Sequence, residues 1–162
     1  MNDHVDDIIG QWQQQRPDLD VSPMKVIGRL SRISQHVERR LEENFARHGL
    51  DSGAFDVLAT LRRAGGPCTL NPKDLALSSM ITSSAVAQRL NRLQDRGLVS
   101  RTKSGVDGRG TQVSLTPQGR ELVDTVLPAH LDMEHDLLSG MSVNDLRTLA
   151  DLLKKLGHSL AV

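Results

Sequence analysis

Residues 71–117 read "NPKDLALSSMITSSAVAQRLNRLQDRGLVSRTKSGVDGRGTQVSLTP", and the reading of this stretch decides the fold. Asn71 followed by Pro72 is a helix start, because Asn caps exposed amides and proline's fixed φ suits the first helical position. "SSMI" breaks that short helix. A second one opens at "TSSAVAQRLNRLQDRG", with Val86, Leu90 and Leu93 on one face. Ser83, Ser84, Gln88, Arg89 and Arg92 point the other way at the 3.6-residue period. Gly97 is its stop. Two short β-like runs follow, "LVSRTK" and "TQVSLT". Gly105, Gly108 and Gly110 let the chain reverse between them, and Arg109 stands at the tip.

A short helix, a turn, a second helix and a glycine-tipped hairpin make a winged helix-turn-helix. The predicted fold is mainly α with a small two-stranded β-wing. The second helix is built to enter a DNA major groove. Thr82, Ser83 and Ser84 are small enough for close approach, and their amides carry the positive end of the helix dipole. Gln88, Arg89 and Arg92 have the donors and acceptors that read base edges or hold phosphates. Arg109 suits a minor groove, where negative potential concentrates.

Bulk composition leaves this reading room. The chain has 162 residues and zero formal net charge, so total charge names no polyanionic partner. Its distribution does. Residues 82–116 hold six basic side chains against two acids, and 117–162 hold four against seven. A basic middle beside an acidic tail marks one charged working face. Aromatic residues make up 2%, so the core must be aliphatic, as suits helix packing. The single cysteine, Cys68, fits a reducing cytoplasm. No apolar run approaches the ~20 residues of a membrane span, and the acidic opening "MNDHVDDIIGQW" does not read as a secretory leader. No nucleophile elbow, phosphate loop or zinc motif points to an enzyme, and no cofactor is implied.

The flanks read as helices. Residues 1–22 are an N-terminal extension: an amphipathic helix over 4–15 carrying Val5, Ile8, Ile9 and Trp12, then a Pro-marked linker. Residues 23–48 and 117–162 form a helical region with more apolar surface than a small winged domain needs, serving either as intrachain core or as a dimer interface. Residues 49–116 are the DNA-binding domain. Pro128 should bend the helix from Pro117 or mark a join. His130, Asp132, Glu134, His135 and Asp136 lack the i, i+4 histidine spacing of a metal site and read as a solvated helix face.

"PKDLALSSMITSSAVAQRLNRLQDRGLVSR" and "DGRGTQVSLTPQGRELVD" resemble the MarR family of bacterial transcription regulators. The resemblance covers residues 25–160. It implies a winged-helix homodimer on a pseudopalindromic operator of double-stranded DNA, acting most often as a repressor, with the terminal helices of two chains intertwined. One departure stands out: the family wing often reads Asp-Arg-Arg or Asp-Arg-Asp, whereas "DGRG" keeps one arginine.

"QWQQQRPDLDVSPMKVIGRLSR" resembles the urate-responsive, PecS-like branch of that family. In this branch an extra N-terminal helix covers the winged domain and a small anionic effector binds beneath it. The resemblance gives the effector roles to Trp12, Asp56, Arg89 and Arg101. An indole stacks on a flat purine, two guanidiniums hold its oxygens, and Asp56 tethers an arginine when the site is empty. Alternatives are a phenolic or carboxylate effector, oxidation of Cys68, or a helical protein-docking dimer that ignores DNA.

Overall fold

A computed structural model of the chain describes residues 2–104 and 110–160. The chain forms two compact units, Met1–Glu43 and Asn44–Val162.

In the first unit, α1 spans His4–Gln15 and α2 begins at Met24, running to Ala46. Asp3 caps α1: its carboxylate accepts from the Val5 and Asp6 amides, and the Asp6 carboxylate accepts from the Asp3 amide. That reciprocal pairing satisfies donors the helix cannot use internally. Val5, Ile9 and Val21 form the apolar contact. Gly28 lets α1 rest close on α2, since a Cβ there would lie 3.2 Å from Val5 Cγ1. Arg29 clasps the start of α1, donating to Asp3 at 2.8 and 3.0 Å and to Asp6 at 2.7 Å. Beyond this contact Val26, Ile27 and Ile33 are each more than half exposed. α2 starts one residue after the expected Pro23 and stops two before the expected His48. Gly49, at φ +66°, then turns the chain, a conformation that costs glycine nothing.

The second unit continues with α3 (Ser52–Arg63), β1 (Thr69–Leu70), α4 (Pro72–Ser78) and α5 (Ser83–Asp95). β2 (Val99–Ser104), β3 (Gly110–Leu115), α6 (Pro117–Leu138) and α7 (Val143–Ser159) follow. Asp51, Asn71, Thr82, Thr116 and Ser142 each cap the helix they precede. The winged helix-turn-helix with its largely helical composition is therefore present. The expected two-stranded ribbon gains a third strand: β1 pairs antiparallel with β3, Thr69 opposite Ser114 and Leu70 opposite Val113, giving the order β1-β3-β2. Two residues are too few for an alternating pattern to announce a strand.

Val57, Leu58, Leu61, Leu75, Val86, Leu90, Leu93 and Val113 form the core beneath the helix-turn-helix. Each buried leucine among them contributes roughly 2 kcal/mol of apolar transfer. The wing is pinned to α6 where a Cβ on Gly119 would fall 1.9 Å from the Leu98 carbonyl oxygen. α6 passes through Pro128 without a break, so the proline marks no join. No described helix is long and apolar enough to cross a membrane.

One local expectation changes. His130 does not face solvent: its side chain is 15% exposed and its ring stands 5.2 Å from Phe45 and 5.0 Å from Phe55. Cys68 has a cationic neighbour. It is buried at φ +52°, and its Sγ accepts from Arg120 Nη2 at 2.9 Å.

Candidate nucleic-acid interface

α4, the turn after it and α5 are held by α3. Asp56 accepts from the Met80 amide at 2.7 Å, and Arg63 donates to the Ser78 carbonyl, so α3 grips both sides of the turn. Ser79 Oγ closes the end of α4 on the Leu75 carbonyl at 2.7 Å. Thr82 then caps α5 by accepting from Ala85 N at 3.3 Å.

On α5, Val86, Leu90 and Leu93 are buried and Ser83, Ser84, Gln88 and Arg92 are exposed, as their spacing predicts. Ser84, Gln88 and Arg92 follow one another at four-residue intervals along a single ridge. Arg89 behaves differently. Its side chain is only 25% exposed. Nε donates to Asp51 Oδ1 at 2.9 Å and Nη1 donates to Gln88 Oε1 at 3.0 Å. Arg101, on β2, donates to Asn91 Oδ1 of α5 at 2.8 Å. Arg96 leaves the ridge to donate to the Gly49 carbonyl at 2.7 Å. Arg109 lies outside the described residues.

Asp51 caps α3 by accepting from Ala54 N at 2.8 Å. Burial pushes its carboxyl up. The bond from the Ala54 amide and the hydrogen bond and charge of Arg89 outweigh burial and hold it below the ordinary value of 3.8.

A cleft of about 720 Å³ opens between α4, α5 and the wing. Leu77, Val86 and Leu90 form its apolar wall, and Lys73, Arg101 and Thr111 add polar groups. Two cations over an apolar floor suit a flat organic anion.

The four residues assigned to an effector by resemblance sort as follows. Within the second unit, Asp56, Arg89 and Arg101 each have a different partner: the Met80 amide, Asp51 and Asn91. Arg101 alone of the three lines the cleft. The carboxylate that pairs with Arg89 here is Asp51, while Asp56 accepts from the Met80 amide. Trp12, on α1, is 44% exposed.

Known proteins agree with this geometry. A profile of the MarR family matches residues 48–110. The HTH-type transcriptional regulator PecS of Dickeya dadantii is 40% identical over 156 residues, spanning 96% of this chain and 94% of PecS. A variant of MarR from E. coli complexed with operator DNA superposes with TM-score 0.72 at 26% identity, covering 85% of this chain and 99% of that one. Bordetella bronchiseptica BpsR, whose DNA binding is regulated by 6-hydroxynicotinic acid, has TM-score 0.72 and 25% identity over 81% of this chain and 92% of its own. By sequence and by fold, the chain belongs to the MarR family of transcriptional regulators.

Proposed function

We propose that this regulator acts in the cytoplasm as a homodimeric repressor on a pseudopalindromic operator and lets go when a small anion binds. The observation that carries the DNA reading is the exposed Ser84–Gln88–Arg92 ridge on a capped helix held out by α3. Thr82, Ser83 and Ser84 approach the backbone, Gln88 meets base edges, and Arg92 meets phosphate or guanine. Arg89 joins them through Gln88, and Arg109 enters the minor groove.

The dimer reading rests on α7. It is amphipathic and leucine-rich, yet none of its residues is buried. Leu152 is 60% and Leu153 45% exposed, and a second copy of the chain is the occupant that two-fold symmetry supplies. The effector reading rests on the cationic cleft under α5, on the resemblance of the N-terminal stretch to a ligand-responsive branch, and on similarity to BpsR, whose DNA binding is regulated by 6-hydroxynicotinic acid. Urate is the first candidate. The stacking role of Trp12 comes from resemblance and is tested by its own substitution.

The test is a gel shift with the chain's own upstream promoter fragment, run across salt and then across a panel of urate, phenolic and carboxylate anions. Affinity should fall steeply with salt as phosphate contacts release counterions, and one anion should release the DNA. No binding even in dilute buffer would favour the protein-docking reading instead. Sedimentation should give a dimer that Leu152→Glu dissociates, and Trp12→Ala should blunt release while sparing DNA binding.

A further inference from the structure

Three side chains link the cap of α3 to the ridge of α5. Asp51 Oδ1 accepts from Arg89 Nε at 2.9 Å, and Arg89 Nη1 donates to Gln88 Oε1 at 3.0 Å. Arg89 lies flat on the first turn of α3. A Cβ at Gly53 would come within 3.1 Å of its Nε, so the glycine leaves the room this path needs.

The relay has a chemical consequence at its outer end. A free glutamine amide pairs with adenine by accepting from N6 and donating to N7. Here the amide oxygen is turned back to its own helix neighbour. Gln88 Nε2 has no hydrogen-bond partner among the described residues, and Gln88 is exposed. The group offered outward is therefore a donor, and the matching base edge is one that only accepts. Guanine, with N7 and O6 side by side, offers two such acceptors, where adenine offers N7 beside a donor and thymine O4 beside a methyl.

We propose that Asp51 is a positioning residue for base readout: through Arg89 it orients the Gln88 amide so that α5 selects guanine over adenine at one position of each half-site. This rests on the DNA-binding reading above. Asp51 touches no base. It fixes an arginine that would otherwise swing freely, and the arginine fixes the glutamine.

The experiment selects duplexes from a randomised library with the full-length wild-type chain, then repeats the selection with Gln88→Ala, Asp51→Ser and Arg89→Gln. Serine is as good a cap as aspartate but too short and uncharged to hold Arg89, so Asp51→Ser keeps α3 capped. Gln88→Ala identifies the position that Gln88 reads. At that position the wild type should prefer guanine; Asp51→Ser should lose roughly tenfold of the guanine-over-adenine discrimination there with the other positions unchanged, and Arg89→Gln should lose as much at that position. An even loss at all positions would make Asp51 only a cap, and would overturn the proposal. So would an unchanged base pattern in both variants, or a wild-type preference for adenine there. A wild type that enriches no sequence would overturn the DNA-binding reading itself, and this inference with it.

Discussion

Asp51 Oδ1 receives two bonds at once, from the Ala54 amide at 2.8 Å and from Arg89 Nε at 2.9 Å. One oxygen thus caps α3 and restrains α5. Its carboxyl is held below 3.8, so the ionised form is favoured by folding. A depressed carboxyl contributes stability that is complete above the unfolded value and is lost as pH falls through the folded one. Denaturant unfolding of the wild type should weaken below about pH 4. Asp51→Asn keeps a cap without the charge and should lose less stability over the same acid window. Identical acid profiles for the two proteins would remove the carboxylate from the account.

Arg29 carries the corresponding pairings in the first unit. Asp6 is lowered chiefly by the Arg29 hydrogen bond, and Asp3 chiefly by the Asp6 amide, opposed by burial and helped by Arg29. Both shifts have the sign of Asp51, so the clasp on α1 should open as pH falls below about 4. Trp12 is the chain's one tryptophan, and it sits on the helix that the clasp holds. Its emission should move to longer wavelength on acidification, and Arg29→Gln should bring that change to neutral pH. Emission indifferent to Arg29→Gln would show that Val5, Ile9 and Val21 hold α1 unaided.

What the sequence disclosed was local chemistry. The cap at Asn71 and the stop at Gly97 need only neighbours within a turn, and each stands where it reads. Val86, Leu90 and Leu93 were legible as core because a helix repeats its faces. Pairings far apart in sequence were not. Asp51 and Arg89 are 38 residues apart, and nothing local to Asp51 distinguishes a clamp from a cap. His130 sits among acids that suggest solvent, yet the rings that enclose it belong to Phe45 and Phe55. Asp56 was placed beside an arginine by resemblance, while its backbone partner Met80 lies in a turn that carries no charge to advertise the bond.

Gly119 is where the wing meets α6. A methyl group there would lie 1.9 Å from the Leu98 carbonyl oxygen, and that oxygen also accepts from the Thr116 amide at 3.1 Å. Backbone cannot swing aside as a long side chain does. Gly119→Ala should therefore cost about 3 kcal/mol, at the upper end of overpacking penalties, although alanine is the better helix former. Thermal melting would check this. A variant as stable as the wild type would mean that α6 docks on the wing with freedom the packing does not suggest.

Under the proposed function Arg101 serves either DNA or a small anion, and the two roles leave different marks. On β2 it lines the 720 Å³ cleft with Lys73 and donates to Asn91 of α5, which puts it at the cleft and in contact with α5. An anion that draws on Arg101 competes with Asn91 and so acts on α5, but it shifts binding only by preferring the DNA-free form. Arg101→Gln should leave the salt dependence of operator binding unchanged and raise the anion dose needed for release by about tenfold, the loss of one charge-assisted bond. If Arg101 instead holds a phosphate, the same variant lowers the salt slope by about one unit for each phosphate it no longer neutralises, with release at the old dose. A salt titration and an anion titration on one protein therefore decide between the roles.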